Sequence, residues 1–151
     1  MKANEVAIRI LEVEEGFSEQ PYYCSEGYPT IGIGQRIGPK GTDLKVYQFT
    51  CPLLVAQCWC DDKVKRVESA LESYDWYVNC DQIRRAMLIS MAYQLGVDGL
   101  KGFRKMLRAL TISDWDTAYK EGLDSLWARQ APERAARQME VIRSGELNEC
   151  Y

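Results

Sequence analysis

The sequence predicts an α+β fold in a single domain, on three observations. Apolar residues recur at helical spacing from Asn4 to Phe17. A stretch rich in glycine, tyrosine, threonine and isoleucine follows from Tyr22 to Gly38, and helical periodicity returns for most of the remaining chain. With 151 residues, 46% of them hydrophobic, the chain can bury roughly two thirds of its unfolded surface, enough for one core. It contains no repeat, low-complexity run or Pro/Gly linker that would mark a domain boundary.

The first element is a short amphipathic helix with Val6, Ala7, Ile10, Leu11 and Val13 on one stripe, Asn4 placed to cap it and Gly16 ending it. Tyr22 to Gly38, with Gly27, Gly32, Gly34 and Gly38 among strand formers, reads as a small antiparallel hairpin or meander. A long helix is expected from about Cys51 to Ser73, capped by Thr50, with Pro52 in its first turn and Leu54, Cys58, Val64, Val67 and Leu71 buried. After the aromatic stretch Tyr74 to Val78, a further helix runs from Asp81 to Leu95 on Ile83, Met87, Leu88 and Met91, and stops at Gly96. Three shorter helices are expected at Phe103 to Leu110, Ser113 to Leu126 and Pro132 to Ser144. The second carries a Ser113/Asp116 capping box and the third opens on its proline.

Composition removes most rival chemistries. The chain has no histidine, which excludes Ser-His-Asp and Cys-His nucleophilic sites and leaves a metal site only cysteines and carboxylates. No cofactor or metal is expected. General acid chemistry must then come from a carboxyl group kept protonated by burial. A net charge of -3 and a pI near 5.1 argue against a nucleic-acid partner. No segment is long enough to insert in a membrane, and the opening MKANEVAIRILEVEEG carries acids where a signal peptide needs an apolar run.

The six cysteines are too few for a small secreted disulfide scaffold. Cys58 and Cys60 lie too close for a zinc pair and point to different sides of one helix. Cys51 and Cys58 are expected to share a helix face, so a disulfide to Cys80 fits the spacing, with free thiols, Cys150 included, as the default expectation.

Glu15 sits at the end of the first helix. Cys24 follows after eight intervening residues, in the first strand, and Thr30 after five more, in the second. A helix-to-hairpin turn can gather all three around one cleft. Spacing alone leaves Glu12, Glu14 and Glu19 equally eligible for an acid's role.

The run Glu14-Glu15-Gly16, then Tyr22, then Glu26 through Gly34 resembles the active-site signature of the phage lysozymes, a glycoside hydrolase family, and most closely those of T-even coliphages. The likeness continues through Arg84-Arg85, Tyr93-Gln94-Leu95-Gly96, Gly102-Phe103, Met106-Leu107 and Asp114-Trp115-Asp116 to Trp127, Gln130, Pro132 and Arg134, and is weakest from Gln35 to Ile83. The resemblance implies a small N-terminal β-hairpin lobe, approximately residues 15–50, and a larger helical lobe, approximately residues 75–151 plus the N-terminal helix. A long helix joins them, with glycan bound between.

It further implies that Glu15 protonates the glycosidic oxygen between N-acetylmuramic acid and N-acetylglucosamine while water attacks the opposite face with inversion. Arg134 matches the arginine that pairs with this glutamate, and Thr30 the threonine that positions the water. Cys24 stands where the best-known members carry aspartate and others carry cysteine. A thiol is mostly neutral at pH 7 unless its thiolate is stabilised, so its expected role is to orient water or steady developing positive charge. Gln35 replaces a structural histidine. Tyr93, Gln94 and Trp127 match cleft-lining, substrate-binding positions, although packing explains each as well. Arg36, Met106 and Glu121 do not preserve the residue types of other cleft positions.

The expected partner is bacterial peptidoglycan. The first functional reading is a monomeric muramidase endolysin, accumulating in the host cytoplasm and reaching the periplasmic wall through holin pores; a virion-associated lysozyme is its variant. A lytic transglycosylase, which needs the acid but no water-activating carboxylate, is the enzymatic rival. A peptidoglycan-binding fold without turnover is the non-enzymatic one.

Overall fold

The computed structural model describes residues 1–151 as eight α-helices and one three-stranded antiparallel sheet. Helix α1 (Ala3–Glu15) buries Ala3, Val6, Ala7, Ile10 and Leu11. Its last turn ends at Gly16, whose φ of 63° lies in the left-handed region and turns the chain into the sheet. Asn4 does not cap it. The helix starts one residue earlier, and the Asn4 amide donates instead to Glu68 at 2.9 Å, tying the first helix to the C-terminal end of the next.

Strands β1 (Ser18–Tyr23), β2 (Pro29–Gly32) and β3 (Gln35–Arg36) follow in that spatial order, with a register irregularity between Ser18 and Tyr22. All four residues of β2 are buried, and the sheet rests through this strand on helix α2 (Leu53–Leu71). Pro52 precedes the first turn of α2 rather than lying in it, and Thr50 is not its cap.

The buried stripe of α2 is Ala56, Cys60, Val64, Val67 and Leu71. The expected Leu54 and Cys58 face outward, Leu54 with 72% of its surface exposed. Every position from Leu53 to Ala56 is apolar, so periodicity there is degenerate and packing decides. β2 comes so near that a Cβ on Gly32 would stand 3.2 Å from that of Ala56 and 3.4 Å from the Cys51 sulfur, which admits only small residues. Cys51, buried before the helix begins, therefore shares no helix face with exposed Cys58, and all six thiols are free.

The helical part is organised around α4 (Gln82–Lys101), which touches α1, α2, the short α3 (Asp75–Val78) and α8 (Pro132–Ser144). Asp81 caps α4 by accepting from the Ile83 and Arg84 amides. The helix is broken at Gly96, which adopts φ 79°, and resumes for one turn and a half beyond the expected stop.

Ser113 is left-handed, with φ 58°, and does not cap the following segment. Asp114 does, accepting from Thr117. The single helix expected from Ser113 to Leu126 is two, α6 (Trp115–Leu123) and α7 (Leu126–Gln130), because the Ser125 hydroxyl accepts from the Ala128 amide and starts a new helix. Between α4 and α6, α5 (Arg104–Thr111) matches its expected span within a residue.

Arg84 is a buried clamp. It donates to the carbonyls of Ile142 and Arg143 at the end of α8, pairs with Asp81 at 2.6 Å, and stacks over the Trp115 ring at 3.9 Å. These partners give the Arg84 and Trp115 motif positions a structural role.

Candidate active site

A cleft of about 950 Å³ opens between the sheet and the helices. Tyr22, Cys24, Thr30, Gly34 and Arg36 line one wall. Glu14, Glu15 and the stretches Ala92–Val97 and Ala131–Arg134, with Arg137, line the other, and Lys63, Arg66 and Val67 of α2 form the back. Glu15, Cys24 and Thr30, well apart in sequence, meet in this cleft, together with Arg134, Tyr93 and Gln94.

Glu15 closes the last turn of α1 with its side chain 18% exposed. Arg134 donates to its Oε1 at 2.9 Å. Its Oε2 has no protein partner and faces Gly34, where a Cβ would stand 2.6 Å away. The two oxygens are therefore inequivalent. Oε1 is held by the Arg134 cation, and Oε2 is left without a protein partner at the cleft wall.

Arg134 is itself buried and shared. Besides Glu15 it approaches Glu14 at 3.8 Å, and its Nη2 points at the Ser90 hydroxyl at 3.5 Å. Ser90 also accepts from Gln138 at 3.0 Å. Glu14, with only 3% of its side chain exposed, is gripped by Arg137 through two bonds of 3.0 and 2.9 Å and by the Tyr151 hydroxyl. Burial alone would raise the Glu14 pKa, but Arg137, Tyr151 and Arg134 outweigh it and hold the carboxyl below the usual range.

The consecutive acids of α1 thus meet two arginines one helical turn apart on α8. Sequence reasoning picked out Glu15 and Arg134 but missed Arg137, Tyr151, Ser90 and Gln138. The one available signal was the Glu-Glu pair with arginines at i and i+3.

Cys24 lies just past the end of β1 in the turn to β2, half-buried in the cleft. Burial raises its pKa. The amides of Glu26 and Tyr28 and the charge of Arg36 oppose that and bring the thiol below its ordinary value. Thr30, 2% exposed on β2, has one hydroxyl proton for two acceptors, and the bond formed is to the Tyr28 carbonyl at 2.8 Å. Its lone pairs remain free to accept from a water.

Tyr93 lines the cleft but offers no open ring face. It is 4% exposed, its hydroxyl donates to the Ile33 carbonyl at 2.6 Å, and the Lys63 ammonium covers the ring at 4.0 Å. The expected platform for a sugar is occupied by the protein's own lysine. Gln94 is in the cleft, and its amide oxygen accepts from the Trp127 indole at 2.9 Å. Trp127 belongs to the wall of a neighbouring cavity of about 600 Å³ between α4, α5, α6 and α7, packed edge-on against Phe103. Glu121 lines that cavity too, as does Met106, itself buried. Arg36 pairs with Glu26 at 2.7 Å and stacks on Tyr28, while Gln35 bonds only the adjacent carbonyl. No group of three His, Cys, Asp or Glu side chains is placed to hold a metal, and no helix is long and apolar enough to cross a membrane.

The family described as phage lysozyme matches residues 12–140. The chain is similar to the pre-baseplate central spike protein Gp5 of Enterobacteria phage T4, 30% identical over 159 residues. That match covers 91% of this chain and 28% of the spike protein, so the chain spans little more than a quarter of that relative. It is also similar to probable T4-type lysozyme 1 of Dictyostelium discoideum, 29% identical with 92% of this chain and 94% of that protein covered. For probable T4-type lysozyme 2 of the same organism the figures are 27%, 93% and 95%. With the family match running from the last turns of α1 into α8 and both carboxyl-bearing and sheet walls of the cleft inside it, the chain belongs to the phage lysozyme family and is an enzyme of the glycosidase class.

Proposed function

We propose that this protein is a muramidase that hydrolyses the β-1,4 bond from N-acetylmuramic acid to N-acetylglucosamine in bacterial peptidoglycan, with Glu15 as general acid. The observation that carries this reading is the asymmetry of the Glu15 carboxyl, one oxygen fixed by Arg134 and the other free in the cleft. The proton leaves Oε2 for the glycosidic oxygen as the bond to the anomeric carbon breaks, and positive charge develops on the sugar ring. Water on the opposite face, donating a hydrogen bond to the Thr30 hydroxyl oxygen and steadied by the Cys24 sulfur, adds to that carbon and loses its proton to solvent, so the configuration inverts. The turn around Cys24 also brings its thiol below the ordinary value, which makes the sulfur a better partner for the positive charge developing on the sugar ring.

In its biological setting the proposed role is host-cell lysis. The enzyme would accumulate in the host cytoplasm as a monomer and reach the periplasmic wall through holin pores. The likeness to part of a phage spike protein supports a virion-associated lysozyme as the second setting.

The test is mass spectrometry of fragments released from Gram-negative peptidoglycan, with Glu15→Gln in parallel. Reducing muramic-acid ends that require Glu15 are expected. Anhydro ends would reassign the enzyme as a lytic transglycosylase, a reading that the missing second carboxylate at Cys24 keeps open. No fragments from folded protein would leave a binding fold.

A further inference from the structure

Five cations line the cleft, and four of them are engaged by carboxylates. Arg36 is paired with Glu26, Arg66 with Asp62, Arg134 with Glu15 and Arg137 with Glu14. Lys63 is the fifth. Its ammonium forms no hydrogen bond or ion pair with the protein and lies over the Tyr93 ring at 4.0 Å. Tyr93 in turn is fixed by its bond to Ile33.

A half-buried lysine held over a fixed ring is pre-organised, because its long side chain has already lost most of its rotamer freedom. Burial pulls the ammonium below the ordinary lysine value, with Glu15 raising it and Arg36 lowering it. A partly desolvated charge of this kind binds an anion more strongly than a surface lysine does. The whole chain is acidic, at -3, yet this wall of the cleft presents one cation that no protein group neutralises.

We propose that Lys63 is a substrate-binding residue that takes a carboxylate of the glycan strand, setting a preference for acidic over neutral glycan. The inference rests on the peptidoglycan reading above. Two sources carry that chemistry: the lactyl carboxylate of muramic acid where the stem peptide has been removed, and the free carboxylates of the peptide itself. Either would displace no protein partner from Lys63, and the ring beneath would keep the ammonium in place.

The experiment measures kcat and KM of wild type, Lys63→Met and Lys63→Arg on amidase-stripped glycan and on peptide-bearing glycan. Each substrate is also used after its carboxylates have been converted to methylamides. Methionine keeps the apolar stem over Tyr93 and removes only the charge. Wild type is expected to favour the acidic form of its substrate. Lys63→Met should lower the acidic-to-amidated ratio of kcat/KM about tenfold, the equivalent of one exposed-to-half-buried charge contact, through KM. Lys63→Arg should restore it. Because the ratio is taken within each variant, any general loss of folded enzyme cancels. Loss confined to stripped glycan assigns the lactyl carboxylate, and loss confined to peptide-bearing glycan assigns the stem. An unchanged ratio in Lys63→Met overturns the proposal while leaving the muramidase reading intact. A wild type that cleaves none of the four substrates overturns that reading, and this inference with it.

Discussion

Gly34 lies against the Glu15 carboxyl so closely that a Cβ there would stand 2.6 Å from Oε2 and 2.9 Å from the carboxyl carbon. The glycine also has φ 63°. The sheet wall is thus cut away at the point where the proposed acid exposes its free oxygen, and Arg134 fixes the other oxygen of the carboxyl.

Gly34→Ala should therefore cost activity far more than stability. The left-handed backbone makes alanine unfavourable by about 1–2 kcal/mol, while displacing the acid by about an ångström should lower kcat about 100-fold. Paired thermal melts and turnover assays check this. A variant that is strongly unfolded but keeps full specific activity in its folded fraction would refute the close-approach argument.

Glu14→Gln tests the network behind the acid. Removing the charge leaves Arg137 and Tyr151 facing a neutral amide, at an expected cost of about 1–3 kcal/mol at pH 7. The pH dependence has a definite sign. The Glu14 pKa is depressed in the folded state, so its stabilisation is complete above the ordinary glutamate value of about 4.3 and disappears as pH falls through the lower folded value. Asp81, depressed by its bonds to Arg84 against the effect of burial, acts in the same window. Urea unfolding between neutral and strongly acid pH should show wild-type stability falling steeply below that value, with a shallower fall in Glu14→Gln. Parallel curves would count against the pairing.

Cys24 should be separable from the buried thiols by reactivity. Burial raises Cys51, Cys60 and Cys80, the last to about 12, whereas the turn around Cys24 lowers it. Iodoacetamide at pH 7, followed by peptide mass mapping, should label Cys24 ahead of those three, with loss of activity tracking its modification. Cys24→Asp should preserve or improve hydrolysis, and Cys24→Ala should lower it about tenfold or more. An alanine variant at the wild-type rate would make the thiol a bystander.

The Gln94 to Trp127 bond joins the cleft to the cavity beside it. Trp127→Phe keeps the aromatic contact with Phe103 and removes only the indole donor. A stability loss of about 1 kcal/mol is expected, with KM rising more than kcat falls, since Gln94 loses its fixed orientation. A change confined to kcat would place Gln94 nearer the chemistry.

The sequence by itself determined the α+β class, the end of α1 at Gly16, the start of a helix near Asp81 and the entry of α8 at Pro132, and its family motif singled out Glu15, Thr30 and Arg134 as candidates that the fold brings to one cleft. Each of these is written in local spacing or in a motif, and each depends on residues near one another in the chain. What tertiary structure decided was which of several equivalent local choices was taken. Leu54 and Cys58 had the right period but lost the buried face of α2 to Ala56 and Cys60, because β2 approaches too closely for larger side chains. Ser113 had the right residue type for a cap but lost the role to Asp114. Tyr93 had the right position for a sugar platform but holds Lys63. The sharing of Glu14 and Glu15 among Arg134, Arg137 and Tyr151 spans more than a hundred residues of chain. Such contacts leave no periodic trace in sequence, because their energy comes from partners that only folding brings within reach.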